Sequence, residues 1–379
     1  MTDRDFWLGF SLSPGIGPKK FNLLIRNFGS AEKAWSASES ELEPILKPAL
    51  TSKFLGFRQY FDFEKYLQQL KRQKISFICL SDKEYPALLK KIPNPPIVLY
   101  VKALRQVQGK VLDLNDFQPA IAVVGTRHIT SYGRQITEMF TQDLARAGLI
   151  IVSGMALGVD GVAHQSAIEA KGKTIAVLGN GVDIPYPREN EKLYEEIIDS
   201  GGAVISEFPP GMPASVGSFP SRNRIVAGLS LGVLVTEGAS DSGSLITANL
   251  GLDFGRKVFA VPGPITSNLS KAPLDLIRKG ARLVTSAEDI LRELQITNYE
   301  LGISPTSPSL RAGKAGLRGI KGLNKDEQKI LRLLENEGFN FDEIARKTKI
   351  DSSKLAGILS MMEIKGMIKN SEGKFFIGA

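Results

Sequence analysis

The sequence predicts an α/β fold: a doubly wound, mainly parallel sheet with a small helical domain before it and a winged helix after it. Two observations predict this. From residue 72 to 295, short apolar runs alternate with amphipathic helical stretches, the pattern of βαβ units. Outside that span the pattern changes: residues 1–70 read as short helices joined by glycine turns. Residues 323–379 read as helix, helix, helix, strand, turn, strand.

At 379 residues the chain can bury a sizeable core and hold two or three domains. The expected division is a helical domain over 1–70, the α/β domain over 71–295, a linker over 296–322 and the winged helix over 323–379. A single cysteine, Cys79, excludes an internal disulfide and any multi-cysteine metal site. With only His128 and His164, a zinc site would need mostly carboxylates, so no metal and no cofactor is expected. No apolar run is long enough to span a bilayer, and the start MTDRDFWLGF does not read as a signal peptide. The expectation is a cytoplasmic protein with no membrane partner.

The net charge of +8 points to an acidic partner, but it is unevenly spread. Residues 71–119 carry +5 and 296–322 carry +3, whereas 120–295 carry −2. The α/β core is not a basic slab. If it binds nucleic acid, it must gather its arginines on particular loops.

Each region has its own local logic. In LSPGIGPKKFNLLIRNFGS, a Pro-Gly-Ile-Gly turn precedes Phe21, Leu24, Ile25 and Phe28 at helical spacing, with Gly29 as the stop. This suits either a helix-hairpin-helix or SAM-like DNA motif, helped by Lys19 and Lys20, or a plain helical domain. The buried-strand runs are ISFICL, AIAVVG, LIIVSG, TIAVLG, AVISEF, GVLVTE and KVFAVPG, separated by helical patterns such as GRQITEMFTQDLARAG. Right-handed crossovers place those helices on both faces. The segment SPTSPSLRAGKAGLRGIKG has linker composition. In the last region Asp351 caps the third helix, which offers Lys354 and Lys365 but also Met361, Met362 and Glu363. A base-reading helix would show more Arg, Asn and Gln, so a protein contact or weak DNA binding is expected of it.

In such a sheet, ligands bind beyond the carboxyl ends of the strands. The residues there are Gly125-Thr126-Arg127, Ser153-Gly154-Met155, Gly179-Asn180-Gly181, Glu207-Phe208-Pro209, Glu237-Gly238-Ala239 and Pro262-Gly263. Small residues there would let an anion approach main-chain N–H groups, aided by helix N-termini. In ASDSGSLITANLGL, Asp241 or Ser242 caps a helix, and Ser242, Gly243 and Ser244 form an anion cradle. FPSRNRIVAGLS sets Arg222, Asn223 and Arg224 beside Phe219, a pattern for phosphate contact and base stacking. The plainer alternative buries Phe219 and pairs the arginines with Glu207 or Glu237. YPREN adds Arg188 beside Tyr186. A Ser153–His164–Asp160 set can be drawn, but SGMALG lacks the G-x-S-x-G elbow, so no catalytic residue is expected.

The ordered motifs VVGTR, SGMALGVDGVAH, TIAVLGNGVDIPYPREN, SEFPPG, FPSRNRIVAGLS, SGSLITA and VFAVPG resemble the DNA-processing protein A family, also called DprA or Smf. The resemblance covers about 110 to 290. It implies a Rossmann-like domain that binds single-stranded DNA without catalysis. It also implies protection of incoming strands, help in loading the RecA recombinase in natural transformation, and a homodimer. By the same resemblance Gly125, Thr126 and Arg127 would form a phosphate turn, with Ser153 and Gly154 beside it. Arg188 stands where the family often has lysine, and Phe219 becomes a stacking residue. Arg222, Asn223, Arg224, Ser242, Gly243 and Ser244 would extend the groove. Leu157 departs from the family's usual arginine. The alternative is a lysine-decarboxylase-like (LOG) nucleotide phosphoribohydrolase, whose motif would require a glutamate where SGSLIT has Thr247.

Overall fold

The computed structural model describes residues 1–103, 113–296, 325–334, 338–364, 367–371 and 373–377. The chain divides into two compact units, Met1–Pro305 and Thr306–Ala379. Most of the linker expected over 296–322, and Lys365, lie outside the described residues.

The first unit is built on nine strands: β1 Ser76–Cys79, β2 Val98–Lys102, β3 Ala120–Val124, β4 Ile150–Ser153, β5 Thr174–Val177, β6 Ala203–Ser206, β7 Gly232–Val235, β8 Lys257–Ala260 and β9 Arg282–Leu283. Their order across the sheet is β1-β2-β6-β5-β4-β3-β7-β8-β9. From β6 to β9 every pairing is parallel, while β2 pairs antiparallel with both β1 and β6. All seven apolar runs form strands. The apolar pattern does not reveal β2, which follows the proline-rich IPNPP, or the two-residue β9.

Alternation explains why the central strands are apolar throughout. Ile121 and Val123 of β3 pack with Phe140, Leu144, Val159 and Ala163 on one face. Ala120, Ala122 and Val124 pack with Ile225, Val226 and Ala248 on the other. Both faces are covered, so no position in the strand can be polar without a partner. The strand order turns around at β3. Chain order runs β3 to β6 outward on one side, then β7 to β9 outward on the other, which opens a crevice at the carboxyl ends.

The N-terminal helices, from Asp3–Leu12 to Phe63–Arg72, pack on the hairpin-like edge of this sheet. Their core of Phe6, Trp7, Phe10, Phe21, Trp35 and Phe54 continues into Phe77, Cys79, Val98 and Tyr100 of β1 and β2. Trp35 is its hub, with ring centroids of Phe10, Phe54 and Phe63 5.1, 5.2 and 5.1 Å away. Helix Pro18–Phe28 stops at Gly29, whose φ of 82° is the left-handed cap expected of that glycine.

The second unit holds helices Lys325–Leu334, Phe341–Thr348 and Ser352–Ile364, and a three-stranded antiparallel sheet ordered β10-β12-β11. Its strands are β10 Phe339–Asn340, β11 Ile368–Ser371 and β12 Lys374–Ile377. The sequence pattern lacked β10. Asp351 accepts a hydrogen bond from the Lys354 amide and so caps the third helix. Met362 is buried in the core, and Lys354 is tied to Asp326 at 2.6 Å. The exposed residues of that helix include Ser352, Ala356, Gly357, Ser360, Met361 and Glu363, without an Arg, Asn or Gln for bidentate readout of a base edge.

One polar group is sealed inside the α/β core. His164 is fully buried, its Nδ1 2.7 Å from the Thr174 hydroxyl. That hydroxyl donates its one proton to the Ile151 carbonyl, so His164 Nδ1 must carry hydrogen and donate. Burial, and then the nearby Arg222 charge, push the imidazole down to about 3. An unfolded histidine titrates near 6.5, so the unfolded chain binds this proton first and stability falls as pH drops from about 6.5 towards 3. Between pH 6.5 and 4.5 this one group is expected to remove about 2 kcal/mol. Urea unfolding at the two pH values should show that slope, and His164→Gln should flatten it; equal slopes would mean that His164 titrates alike in both states.

Candidate nucleic-acid interface

The site is assembled at the carboxyl edge, beginning with the turn after β3. A Cβ on Gly125 would stand 2.5 Å from Val159 Cγ2 and 2.7 Å from the Glu237 carbonyl oxygen. This glycine therefore admits the protein's own groups rather than a ligand. The next residue, Thr126, is buried and pinned twice. Its N–H donates to the Glu237 carbonyl at 2.8 Å, and its carbonyl accepts from Val159 at 3.1 Å. With Thr126 fixed below, Arg127 projects outward and is exposed. Its guanidinium lies over Phe219, 5.5 Å from the ring centroid. Tyr186 flanks Phe219 at 5.6 Å with a tilt of 34°.

Helix Ser131–Arg146 follows this turn, and its N-terminus is already occupied. The Thr130 hydroxyl accepts from the Gly133 amide at 3.0 Å. The Glu237 carboxylate accepts from Thr130 N at 3.0 Å and from Thr130 Oγ1 at 2.5 Å. A Cβ on Gly133 would collide with Glu237 Oε2, so only glycine fits there. In a dinucleotide-binding turn that place belongs to the pyrophosphate. Here an internal carboxylate fills it.

The floor of the groove is a second internal device. Arg222 is only 5 % exposed and donates to the carbonyls of Gly154 and Val177. Burial lowers its guanidinium to about 10, with Asp160 acting in the opposite direction. Asp160 accepts from the amides of Gly154 and Ala156 at 3.1 and 3.4 Å. Burial raises its pKa, and Arg222 and the two amides oppose that rise. A side chain on Gly154 would strike the Arg222 guanidinium. The loop after β4 is thus shaped around an arginine that ties the ends of β4 and β5 to helix Ser218–Leu229.

These elements enclose a groove of about 680 Å³ running from Gly125–His128 past Phe219, Arg222 and Asn223 to Asp241–Ser244. It continues into a neighbouring hollow of about 410 Å³ that reaches Leu157, Tyr186 and Arg188. The two share Arg127, Gly154, Ala156, Tyr186, Phe219 and Arg222. At the far end Ser242 caps helix Gly243–Asp253, its hydroxyl accepting from Ser244 N at 3.3 Å. Gly243 is exposed, with nothing within 4 Å of a built Cβ, so its backbone is open to an approaching anion.

The structure brings together all the sequence-predicted site residues except two. Ser153 is buried and its hydroxyl donates to the Val123 carbonyl at 2.6 Å. Arg224 lies outside the groove, held by Glu207 at 2.6 Å with side-chain exposures of 16 % and 14 %. That is the pairing the plainer reading of SRNR offered. Ser153, Asp160 and His164 form no relay, because the histidine is bonded to Thr174. Leu157, the departure from the family pattern, is 40 % exposed on the groove wall.

Three contributors do not stand out as site residues in the sequence. Tyr186 registers there only as the neighbour of Arg188, although an aromatic in a rim loop is a usable signal. Asn190 anchors the Arg188 loop by donating to the Met155 carbonyl at 2.9 Å. Glu237 enters the sequence reading as one residue of a rim turn and as a partner for the arginines of SRNR, and its hold on the Arg127 turn is not visible there.

Comparison with known proteins gives the family and the fold. The family model described as DNA recombination-mediator protein A matches residues 76–295, and the DprA winged helix domain matches 318–374. Protein Smf of Synechocystis is 32 % identical, over 98 % of this chain and 98 % of its own. The DNA processing protein DprA of Bacillus subtilis is 39 % identical over 71 % of this chain and 91 % of its own. Among solved structures, DprA of Streptococcus pneumoniae superposes with a TM-score of 0.66 at 33 % identity, covering 77 % of this chain and 98 % of that one. DprA of Helicobacter pylori, whose structure is described by its single-stranded DNA binding mode, gives 0.51 at 29 % identity over 58 % and 95 %. The phosphoribohydrolase alternative is not favoured: position 247 is a threonine, buried at 2 % exposure. The chain belongs to the DNA recombination-mediator protein A family, DprA/Smf.

Proposed function

We propose that this chain binds single-stranded DNA along the groove and does so as a binding protein, without covalent chemistry. The observation that carries the reading is the cluster of Arg127, Phe219 and Tyr186 on the groove wall. A guanidinium beside two partly open rings suits a strand whose bases are unpaired, because a duplex hides its base faces. Arg127 and Arg188 would contact phosphates, and the Gly243 amide with the Ser242 and Ser244 hydroxyls would take a further one. Asn223 would steady that cradle. Phosphate contacts are blind to sequence, so binding is weakly sequence-dependent and salt-sensitive.

Membership of the family, and the single-stranded DNA binding mode described for the Helicobacter pylori protein, support this reading. It extends to a role in DNA processing during natural transformation, to RecA as the partner that receives the strand, to a homodimer, and to the cytoplasm. Among the described residues no helix is long and apolar enough to cross a membrane. The commitment of Ser153, Asp160 and His164 to internal hydrogen bonds supports a non-catalytic role.

Fluorescence anisotropy with single- and double-stranded oligonucleotides across a salt series tests the reading. Single strands should bind more tightly, and Arg127→Ala should lower the salt slope by about 0.7, the share of one phosphate contact. Phe219→Ala should cost about 1–3 kcal/mol of affinity while leaving that slope in place, as lost stacking requires. Equal binding of single strands and duplex, with neither substitution altering affinity, would overturn the proposal. Arg224→Ala is expected to behave differently: it strands the Glu207 carboxylate, lowers stability by about 3 kcal/mol in urea unfolding, and leaves the salt slope of the folded protein unchanged.

A further inference from the structure

We infer that Glu237 is a positioning residue for nucleic-acid binding, holding the turn that presents Arg127 while occupying the anion site that the turn would otherwise offer. The inference rests on the groove reading above. Glu237 never lines the groove, and it is 2 % exposed. It grips the Arg127 turn from both ends. Its backbone carbonyl takes the Thr126 amide on one side of Arg127, and its carboxylate takes the Thr130 amide and hydroxyl on the other. A six-residue loop from Gly125 to Thr130 is thereby clamped at two points by one residue on β7's exit. The clamp requires glycine at two positions, Gly125 against the Glu237 carbonyl and Gly133 against its carboxylate.

The carboxylate also has an electrostatic role. The open N–H groups of helix Ser131–Arg146 would attract a phosphate to the base of the turn. With Glu237 in that place, an incoming phosphate is turned away from the helix and meets the guanidinium of Arg127 instead. Glu237 therefore selects which positive group at this turn engages the strand.

The test compares Glu237→Gln, Arg127→Ala and the double variant by salt-titrated anisotropy on a single-stranded oligonucleotide, with Thr130→Val as a second way to break the clamp. Glu237→Gln should lower the salt slope by about as much as Arg127→Ala, roughly 0.7, with no further loss in the double variant. Thr130→Val should lower it in the same direction. Glu237→Gly adds a chemical rescue: sodium formate at constant ionic strength should restore affinity, since formate can refill the vacated carboxylate place, whereas chloride should not. A slope unchanged in Glu237→Gln and Thr130→Val, or losses that add to those of Arg127→Ala, would show a purely structural residue and overturn the inference. Should Glu237→Gln fail to fold, the Thr130→Val slope decides alone. If Arg127→Ala itself leaves the slope unchanged, the groove reading has failed, which is a separate result.

Discussion

Seven strands, from β6 across to β9, run parallel, and the central ones are covered on both faces by helices. That arrangement leaves those central strands only their ends at which to present polar chemistry, since a parallel strand sealed on both sides has no solvent face. Every βα turn leaves at the same edge, so the loops after β3, β4, β5 and β7 converge without any of them being adjacent in sequence. The turnaround of strand order at β3 then separates the crossovers and makes room for the groove. Position in the topology, more than any one motif, decides which side chains meet.

Within that edge the glycines do something other than the sequence suggests. Read as letters, Gly125 and Gly154 invite an anion close to the backbone, and Gly133 is only the start of a helical pattern. In the structure their missing side chains are replaced by Val159 and the Glu237 carbonyl, by Arg222, and by the Glu237 carboxylate. The groove is thus tightened by internal groups, and its exposed cations are Arg127 and Arg188, beside the rings of Tyr186 and Phe219 and the carboxylates of Glu189 and Asp241. Gly243 alone among these turns keeps an open approach. A glycine-rich rim and an anion site are therefore separable properties. The first reports on packing at strand ends, and only the second requires free N–H groups.

This distinction sets the limit of what was legible. The apolar runs, the winged-helix order and the Gly29 stop could be read from periodicity and turn chemistry, because those depend on near neighbours. Strand β2 could not, since Pro93, Pro95 and Pro96 stand directly before it and mask its pairing with β1 and β6. The fates of Arg222 and Arg224 were equally hidden. Both belong to one short motif, yet one descends beneath the groove to the Gly154 and Val177 carbonyls and the other pairs with Glu207. Two residues apart on a helix, they face different surroundings, and no local pattern tells which acceptor each will find. Tyr186 was undervalued for the same reason: its ring contact lies across the fold on Phe219.

The division of labour between these arginines follows from desolvation. A guanidinium that is to meet a phosphate must keep its donors free and its hydration easily exchanged, which suits Arg127 on an exposed turn. A guanidinium placed beneath the groove must have its donors satisfied internally, or its burial would cost more than its field returns. Arg222 meets that condition through the Gly154 and Val177 carbonyls, the Asn223 side chain and the nearby Asp160. Even so its charge reaches the buried His164 and helps to hold that imidazole neutral, because little water separates the two to screen it. A buried cation under an exposed one favours an anion above both, even though the α/β core as a whole carries a net negative charge. The positive charge of the groove wall and floor is therefore set by the depth at which two arginines sit, which a count of charges along the chain does not reveal.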